Sequence, residues 1–278
     1  MKFILIVALA LGESTLPINS AHAQTAAPST RTAAQTAAIR ELNSATLAYR
    51  EGEFIEAQIY SQRALILDPD SKNAYLFLAR TIHAQYKPGD SSETNAAKAR
   101  EAITAYQQIL NRFADEEEAY KAIAYLYGSL KEEELLREWV LKRAANSSFE
   151  PEKRAEAYIQ LASKDWDCSF KITELPTSKN TTVVNNKTVV HYLKPPIEAD
   201  FTRASQCVEN GLRMVEMAIA LNPESESGWS YKTNLLLEST KLAEMEDDLI
   251  RKQIVLEQYE EALRQTQKAA GKAKNQTP

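Results

Sequence analysis

Residues 75–82 read Tyr-Leu-Phe-Leu-Ala-Arg-Thr-Ile, and the motif that they form, Tyr75-x2-Leu78-Ala79-x2-Ile82, recurs along the chain. The same spacing returns between Tyr120 and Tyr127, and its first part returns between Tyr158 and Ala162. Side chains three and four positions apart share one face of a helix, so the motif predicts one helix of a packed pair. Its recurrence predicts a row of stacked helix pairs.

A second motif follows the first and describes the partner helix. It reads Ala57-x3-Ser61-x2-Ala64-x4-Pro69, and it is echoed by Gly211-x3-Val215-x2-Ala218-x4-Pro223. The alanines are small enough to let two helices approach closely. Gly52 suits the turn that precedes the second helix, and Pro69 ends that helix. The two motifs together describe a helix–turn–helix unit.

These motifs resemble the first and second helices of the tetratricopeptide repeat family, over roughly Thr36 to Lys268. The resemblance implies an all-α fold, an α-α superhelical solenoid of about five helix pairs with a concave face that binds a protein or peptide. Another kind of α-hairpin solenoid would fit the same spacing with almost the same architecture.

The intervals between equivalent aromatic residues locate two insertions. The step from Tyr75 to Tyr120 is 45 residues, longer than a repeat of about 34, and the extra residues fall at a loop, Lys87–Ser92. The step from Tyr158 to Trp229 is 71 residues, which places a larger insertion at residues 169–200, inside the fourth pair. Two β-branched runs around Asn185-Asn186-Lys187 predict a small β-hairpin there.

The first 23 residues have the features of an export signal. Lys2 precedes an apolar run, Phe3–Leu11, and Ala21-His22-Ala23 forms a small-x-small cleavage pattern before Gln24. The run is too short to cross a bilayer, and no later segment approaches the ~20 apolar residues that a transmembrane helix needs. We therefore expect cleavage near Ala23, no transmembrane segment, and a mature protein in the bacterial periplasm or outside the cell.

Composition divides the rest of the chain into three segments. Residues 24–37 are rich in Ala, Thr, Gln and Ser, and they are predicted to be a flexible lead-in. Residues 38–268 are predicted to be the helical repeat domain. Residues 269–278 are predicted to be a disordered tail.

Residues that commonly carry catalysis or bind metals are sparse. After residue 23 the chain has two histidines, His83 and His191, and no hydrolase motif, phosphate loop or dinucleotide fingerprint. The two cysteines do not have metal-ligand spacing. The net charge of −5 disfavours nucleic acid as a partner. Carboxylate runs such as Asp115–Glu118 are typical of solvated helix faces. We expect a protein that is not an enzyme and has no cofactor or metal.

The resemblance also implies which side chains line the concave face. The block of lysine and asparagine residues with which family members clamp a terminal carboxylate is not reproduced. Arg80 and Lys121 could hold an acidic group, although two solvated cations are the simpler interpretation. Tyr125 and Trp166 lie outside the packing positions of the motif, and His83 is interpreted as an exposed or groove-lining imidazole. The predicted partner-binding residues are Tyr49, Arg80, His83, Lys121, Tyr125, Trp166 and Asn234.

The two cysteines are predicted to form a disulfide bond. Cys168 lies at the end of the first helix of the fourth pair, and Cys207 lies in the opening part of the second. Antiparallel packing would bring them together at the base of the insertion, and an exported protein meets oxidising conditions. The alternative is a pair of buried free thiols.

Two functions of different classes remain open at this stage. The first is an exported scaffold that binds a protein or peptide on its concave face, in complexes of the cell envelope. The second is an envelope factor that binds a glycan, lipid or small solute through residues 169–200. The sequence names neither the partner nor the oligomeric state.

Overall fold

The structure, a computed structural model, describes residues 31–276 and the side chains of residues 31–272. The predicted signal peptide lies outside these residues. Ten α-helices, one β-hairpin and a short 3-10 helix, Pro176–Ser178, make up the regular structure of the described part. No helix in that part is long and apolar enough to cross a membrane.

The helices follow one another as five pairs, and each helix packs chiefly on its neighbours along the chain. This order confirms the predicted all-α solenoid of helix pairs with a hairpin in the fourth pair. The bounds are α1 Ala33–Arg50 with α2 Phe54–Leu67, α3 Lys72–His83 with α4 Glu93–Arg112, α5 Glu117–Ser129 with α6 Glu133–Ala145, α7 Pro151–Thr173 with α8 Glu198–Leu221, and α9 Glu226–Met245 with α10 Leu249–Gln276; between α7 and α8 lie β1 Lys179–Val184 and β2 Lys187–Tyr192.

Small residues lie where helices cross most closely. Ala57 and Ala64 of α2 are completely buried. In α8 the equivalent position is Gly211, where a Cβ atom would come 2.6 Å from a methyl carbon of Leu235 in α9. Gly52 has a φ of 83°, which only glycine adopts readily, in the turn between α1 and α2. The small residues of the second motif therefore set the spacing between helices.

The predicted helical domain, residues 38–268, is too short at both ends. The helix α1 begins at Ala33 because Thr32 and Gln35 form a capping box, so the predicted flexible segment 24–37 is wrong for residues 33–37. The helix α10 continues to Gln276, and Ala269 is buried, so the predicted disordered tail is wrong for residues 269–276.

The predicted hairpin is confirmed, but the helix before it is longer than expected. Asn185 and Asn186 have φ values of 52° and 61°, as a two-residue turn requires, and β1 pairs with β2 from Lys179↔Tyr192 to Val184↔Lys187. The helix α7 continues to Thr173, so the insertion proper begins at residue 174, not at 169. Ser169 and Thr173 are fully buried there.

Candidate functional site: the first-helix face and the base of the hairpin

Side chains from alternate helices meet along one surface of the solenoid. On α1 and α3, the rings of Tyr49 and Phe77 lie 5.8 Å apart between centroids. On α3 and α5, the guanidinium of Arg80 donates two hydrogen bonds to the carboxylate of Glu118. The first helices of three successive pairs are thus joined by side-chain contacts, as the stacking of repeats requires.

His83 extends this surface toward the C-terminal end of α5. Its ring lies 5.7 Å from that of Tyr125, and its Nδ1 is 3.4 Å from the hydroxyl of Tyr106 on α4. Burial lowers the pKa of the His83 imidazole, which favours the neutral ring at pH 7. Tyr125 itself is 52% exposed. The imidazole therefore supports an aromatic ring that faces solvent.

We call this surface, which consists of Tyr49, Phe77, Arg80, His83, Glu118, Lys121 and Tyr125, the first-helix face. Lys121 is exposed on α5, and it lies one helical turn from both Glu118 and Tyr125. Of the residues predicted to bind a partner, the structure places Tyr49, Arg80, His83, Lys121 and Tyr125 on this one surface.

The two remaining predicted residues lie on later helices. Trp166 of α7 is partly buried, with ring centroids 5.0 Å from Phe170 and 6.2 Å from Tyr231 of α9. It belongs to the packing between the fourth and fifth pairs. Asn234 is partly exposed on α9.

Phe77 and Glu118 are the residues of this surface that sequence reasoning missed. The run Asp115–Glu118 was interpreted as a solvated helix face, yet Glu118 binds Arg80, and Glu117 binds Arg143 and Lys153. A signal for Glu118 does exist in the sequence. It precedes Tyr125 by seven residues, or about two helical turns, and so shares a face with it.

A second set of polar groups lies buried at the base of the hairpin. Glu238 of α9, only 1% exposed, accepts hydrogen bonds from the hydroxyls of Ser169 (3.1 Å) and Thr173 (2.7 Å) on α7. Its other oxygen lies 2.5 Å from the Lys241 ammonium, which also lies 2.7 Å from Glu174. We call these five residues the hairpin-base network.

The hairpin-base network holds the hairpin to the helices. Glu174 also accepts from Lys179 of β1 at 2.7 Å and from the hydroxyl of Tyr192 of β2 at 3.3 Å. The backbone N–H of Tyr192 donates to Glu244 of α9 at 3.1 Å. Burial alone would raise the pKa of Glu174, but hydrogen bonds from Lys179 and Lys241 lower it to about 2. An isolated hairpin is marginal in water, so these contacts explain its order.

The predicted disulfide is present. Cys168 of α7 and Cys207 of α8 are bonded, with their Cα atoms 6.1 Å apart. The bond lines an open cavity of about 490 Å³ between α6, α7 and α8, with Leu136 and Ile172 among its apolar walls. Asp165 lies in the same cavity, where burial raises the pKa of its carboxyl group against the opposing effect of Arg137, whose Nη1 is 2.9 Å away.

The residues between 31 and 276 contain no group of three or more histidine, cysteine, aspartate or glutamate side chains placed to hold a metal ion. The arrangement of the first-helix face is suited to contact with another molecule through aromatic rings and a few charges.

Comparisons with known proteins concern the fold alone. No protein-family model matches the sequence, and no curated protein gives a significant match. Among solved structures, MamA is similar with 12% identity and a TM-score of 0.42, over 84% of this chain and 94% of MamA. MamA from Desulfovibrio magneticus RS-1 (residues 41 to the end) is similar with 12% identity and a TM-score of 0.41, over 87% of this chain and 97% of that protein chain.

A third similar structure is YrrB, described as a TPR protein with an unusual peptide-binding site. It has 12% identity and a TM-score of 0.36, over 79% of this chain and 92% of YrrB. At such low identity and TM-score, these similarities establish neither a partner nor an activity. The architecture rests on the helix pairing described above.

Proposed function

We propose that this protein is an exported, non-enzymatic scaffold that binds a protein or peptide on the first-helix face, in complexes of the bacterial cell envelope. The observation that carries the proposal is the continuity of this face across α1, α3 and α5. Tyr49 of α1 contacts Phe77 of α3, and α3 contacts α5 through both Arg80 with Glu118 and His83 with Tyr125.

The composition of the face supports a peptide more than a small solute. Tyr49 and Tyr125 are 36% and 52% exposed, and tyrosine rings offer large, rigid contact area together with a polar hydroxyl. Arg80 is already paired with Glu118, which leaves Lys121 as the more accessible cation. A partner segment with an apolar or aromatic anchor beside an acidic residue would complement this surface.

The proposal is tested by capturing partners from envelope extract on the immobilised mature protein, followed by mass spectrometry. The variant Tyr125→Ala should lose the captured partner, and Lys121→Glu should weaken its binding in a salt-dependent way. Both positions are exposed, so helicity should not change.

Lys142→Glu is the matched control, since Lys142 is an exposed lysine on α6, away from this face. A partner captured equally well by wild type, Tyr125→Ala and Lys121→Glu would mean that the first-helix face is not the binding surface.

Export itself is tested by N-terminal sequencing of the envelope form, which should begin at Gln24. An intact Met1 would contradict it.

The cavity beside the disulfide favours a second candidate, an envelope factor that binds a small solute. Of the predicted segment 169–200, Lys171 and Ile172 line the cavity, and no residue of the hairpin itself does so. The solute site would therefore belong to α6, α7 and α8. Saturation-transfer NMR with a panel of sugars and amino acids tests it, with Asp165→Asn expected to reduce any signal.

A further inference from the structure

A second groove lies at the other end of the chain, between α8 and α10. It has a volume of about 540 Å³, and α9 forms its floor. Leu236 of α9, which is 3% exposed, and the partly buried Leu212 and Trp229 give the floor an apolar character. Its walls come from two second helices, α8 and α10, and none of its lining residues belongs to the first-helix face. Its volume falls within the ~300–1,000 Å³ typical of ligand pockets.

An exposed apolar row on α10 continues this groove. Ile254 lines it and is 53% exposed, and Ile250, one turn earlier on the same helical face, is 78% exposed. Within the described residues α10 packs chiefly on α9, through Val255 and Ala262 on an adjoining part of its surface. Together with the apolar floor, the exposed isoleucines form a contiguous apolar surface, and surfaces of this kind are typical of interaction sites.

The charged residues around the groove indicate the charge of the partner that it would bind. Its walls carry three glutamates, Glu216, Glu257 and Glu261, and one lysine, Lys232. That lysine is already engaged, because its Nζ lies 3.6 Å from Glu216 and 5.5 Å from the centre of the Trp229 ring. Glu261 is engaged as well, because Arg264 lies 2.8 Å from its carboxylate. Among the described residues, Glu257 is the wall carboxylate without an ion-pair partner, and it leaves a negative charge above an apolar floor.

The acidic part of the groove has a defined end. Beyond Trp229 lies a smaller depression that is lined by Lys268 and by the ion pair of Lys272 with Glu224. Lys268 would repel a basic partner there, so the partner would place its basic residues beside Glu257 and not along the whole of α10.

We propose that this groove binds a basic amphipathic helix of a partner protein. Apolar side chains at i, i+3, i+4 and i+7 of such a helix would contact Leu212, Leu236 and Ile254, as in other helix-in-groove complexes. Lysines or arginines flanking that apolar stripe would face Glu257, and they would compete with Lys232 and Arg264 for Glu216 and Glu261. This contact is independent of the first-helix face, so the protein can hold two partners at once.

The probe is a fluorescently labelled peptide of leucine and lysine, with leucines at i, i+3, i+4 and i+7, and its affinity for the full mature chain is measured by anisotropy. Wild type should bind it, and a scrambled peptide of the same composition should bind at least about tenfold more weakly. Ile250→Ser with Ile254→Ser should weaken binding about tenfold or more, and Glu257→Lys should do the same at low salt.

Two matched controls separate the groove from the rest of the surface. Glu260→Lys makes the same charge change on an exposed part of α10 outside the groove, and Ile66→Ser removes an isoleucine of α2 that is 78% exposed. Both should bind the peptide like wild type. Circular dichroism checks that every variant remains folded.

Three results would overturn the proposal. One is that the peptide does not bind wild type, and another is that the groove variants bind it as wild type does. The third is concentration-dependent self-association, seen by sedimentation, that the two serine substitutions abolish, because a second copy of this chain would then be the occupant. Weakening confined to the groove variants, without self-association, supports the proposal.

Discussion

At the scale of single residues, Lys241 is the most consequential charge in the structure. It is buried between Glu238 and Glu174, and its ammonium also lies 5.0 Å from the centre of the Tyr192 ring. Burial alone would lower its pKa, but the hydrogen bonds that it donates to the two glutamates raise it, so Lys241 stays charged. Its removal would leave Glu238 as a buried carboxylate without a cation.

We therefore expect Lys241→Met to lower the free energy of unfolding by about 3–5 kcal/mol, the usual result of breaking a buried ion pair on one side. Adding Glu238→Gln should recover part of this loss, because the uncompensated charge disappears. Lys179→Met is the control: Lys179 binds the same Glu174, but its side chain is 29% exposed, so it should cost about 1 kcal/mol or less. Urea unfolding measures the free energy of unfolding of the three variants. Equal losses of stability for Lys241→Met and Lys179→Met would contradict the expectation.

Glu174 makes the same network sensitive to acid. Its pKa is about 2 in the folded protein, against an ordinary value of 4.5. A carboxyl group with a lowered folded pKa stabilises the fold fully above pH 4.5 and loses that contribution as the pH falls toward 2.

The stability difference between wild type and Glu174→Gln should therefore be constant near neutral pH and shrink by up to about 3 kcal/mol as the pH falls toward about 2. Urea unfolding of both proteins at a series of pH values measures it. Carboxylates outside the hairpin-base network have the same surroundings in the two chains, so their effects cancel in the difference. A difference that does not change with pH would show that the lysines do not hold Glu174 ionised.

At the scale of elements, the disulfide joins α7 to α8 across the hairpin. The two cysteines are 39 residues apart in sequence, and cross-linking a loop of this length stabilises a fold by roughly 4 kcal/mol through the entropy of the unfolded chain. Cys168→Ser with Cys207→Ser should therefore lower the free energy of unfolding by up to that amount.

The reduced wild type is the natural control for this pair of substitutions, and it should unfold at the same urea concentration as the double variant. A thiol assay on denatured, unreduced protein should find no reactive thiol. Two reactive thiols per chain would mean that the bond does not form in the native protein.

The helix pairs could be predicted from sequence because their causes are local. Ala57 and Ala64 mark a helix crossing, and Asn185-Asn186 supplies the positive φ values of a tight turn. The end of α7 could not be predicted in this way. Thr173 remains helical and buried beside the carboxylate of Glu238, which lies 65 residues further along the chain.

For the first-helix face, the sequence predicted the helix on which each residue lies but not the contacts that the residue makes. The position of each residue relative to the recurring motif placed Tyr49, Arg80, His83 and Tyr125 on first helices. This works because the spacing of the motif follows from the geometry of the α-helix. It could not show that Arg80 would be paired with Glu118, or that Trp166 would pack against Tyr231. Those contacts depend on how neighbouring pairs are oriented, which no single repeat encodes.

At the scale of the whole molecule, the two ends of the solenoid are held very differently. The first pair meets the second through a small cluster of alanines, Ala38, Ala64 and Ala74, with a few leucines at its edge. The last pair supplies Glu238 and Lys241 to the hairpin-base network, and Leu235 and Leu242 to the cores of its neighbours. Because repeats contact only their neighbours, stability can differ along the chain.

We expect this asymmetry to appear when either end is removed. A chain that begins at Ser71 keeps the N-cap of α3 and the central core around Ile109, Ile123 and Leu126, so it should stay helical and unfold cooperatively in urea. A chain that ends at Glu224 loses α9 and α10, which leaves Ser169 and Thr173 without their buried acceptor, and it should lose cooperative unfolding. Circular dichroism during urea titration compares the two. Equal behaviour of the two truncated chains would mean that the stability of the solenoid is spread evenly and does not depend on the hairpin-base network.

The same asymmetry should appear in the full chain. Amide hydrogen exchange should be fastest in α1 and α2, since a pair held by few large apolar contacts opens most readily.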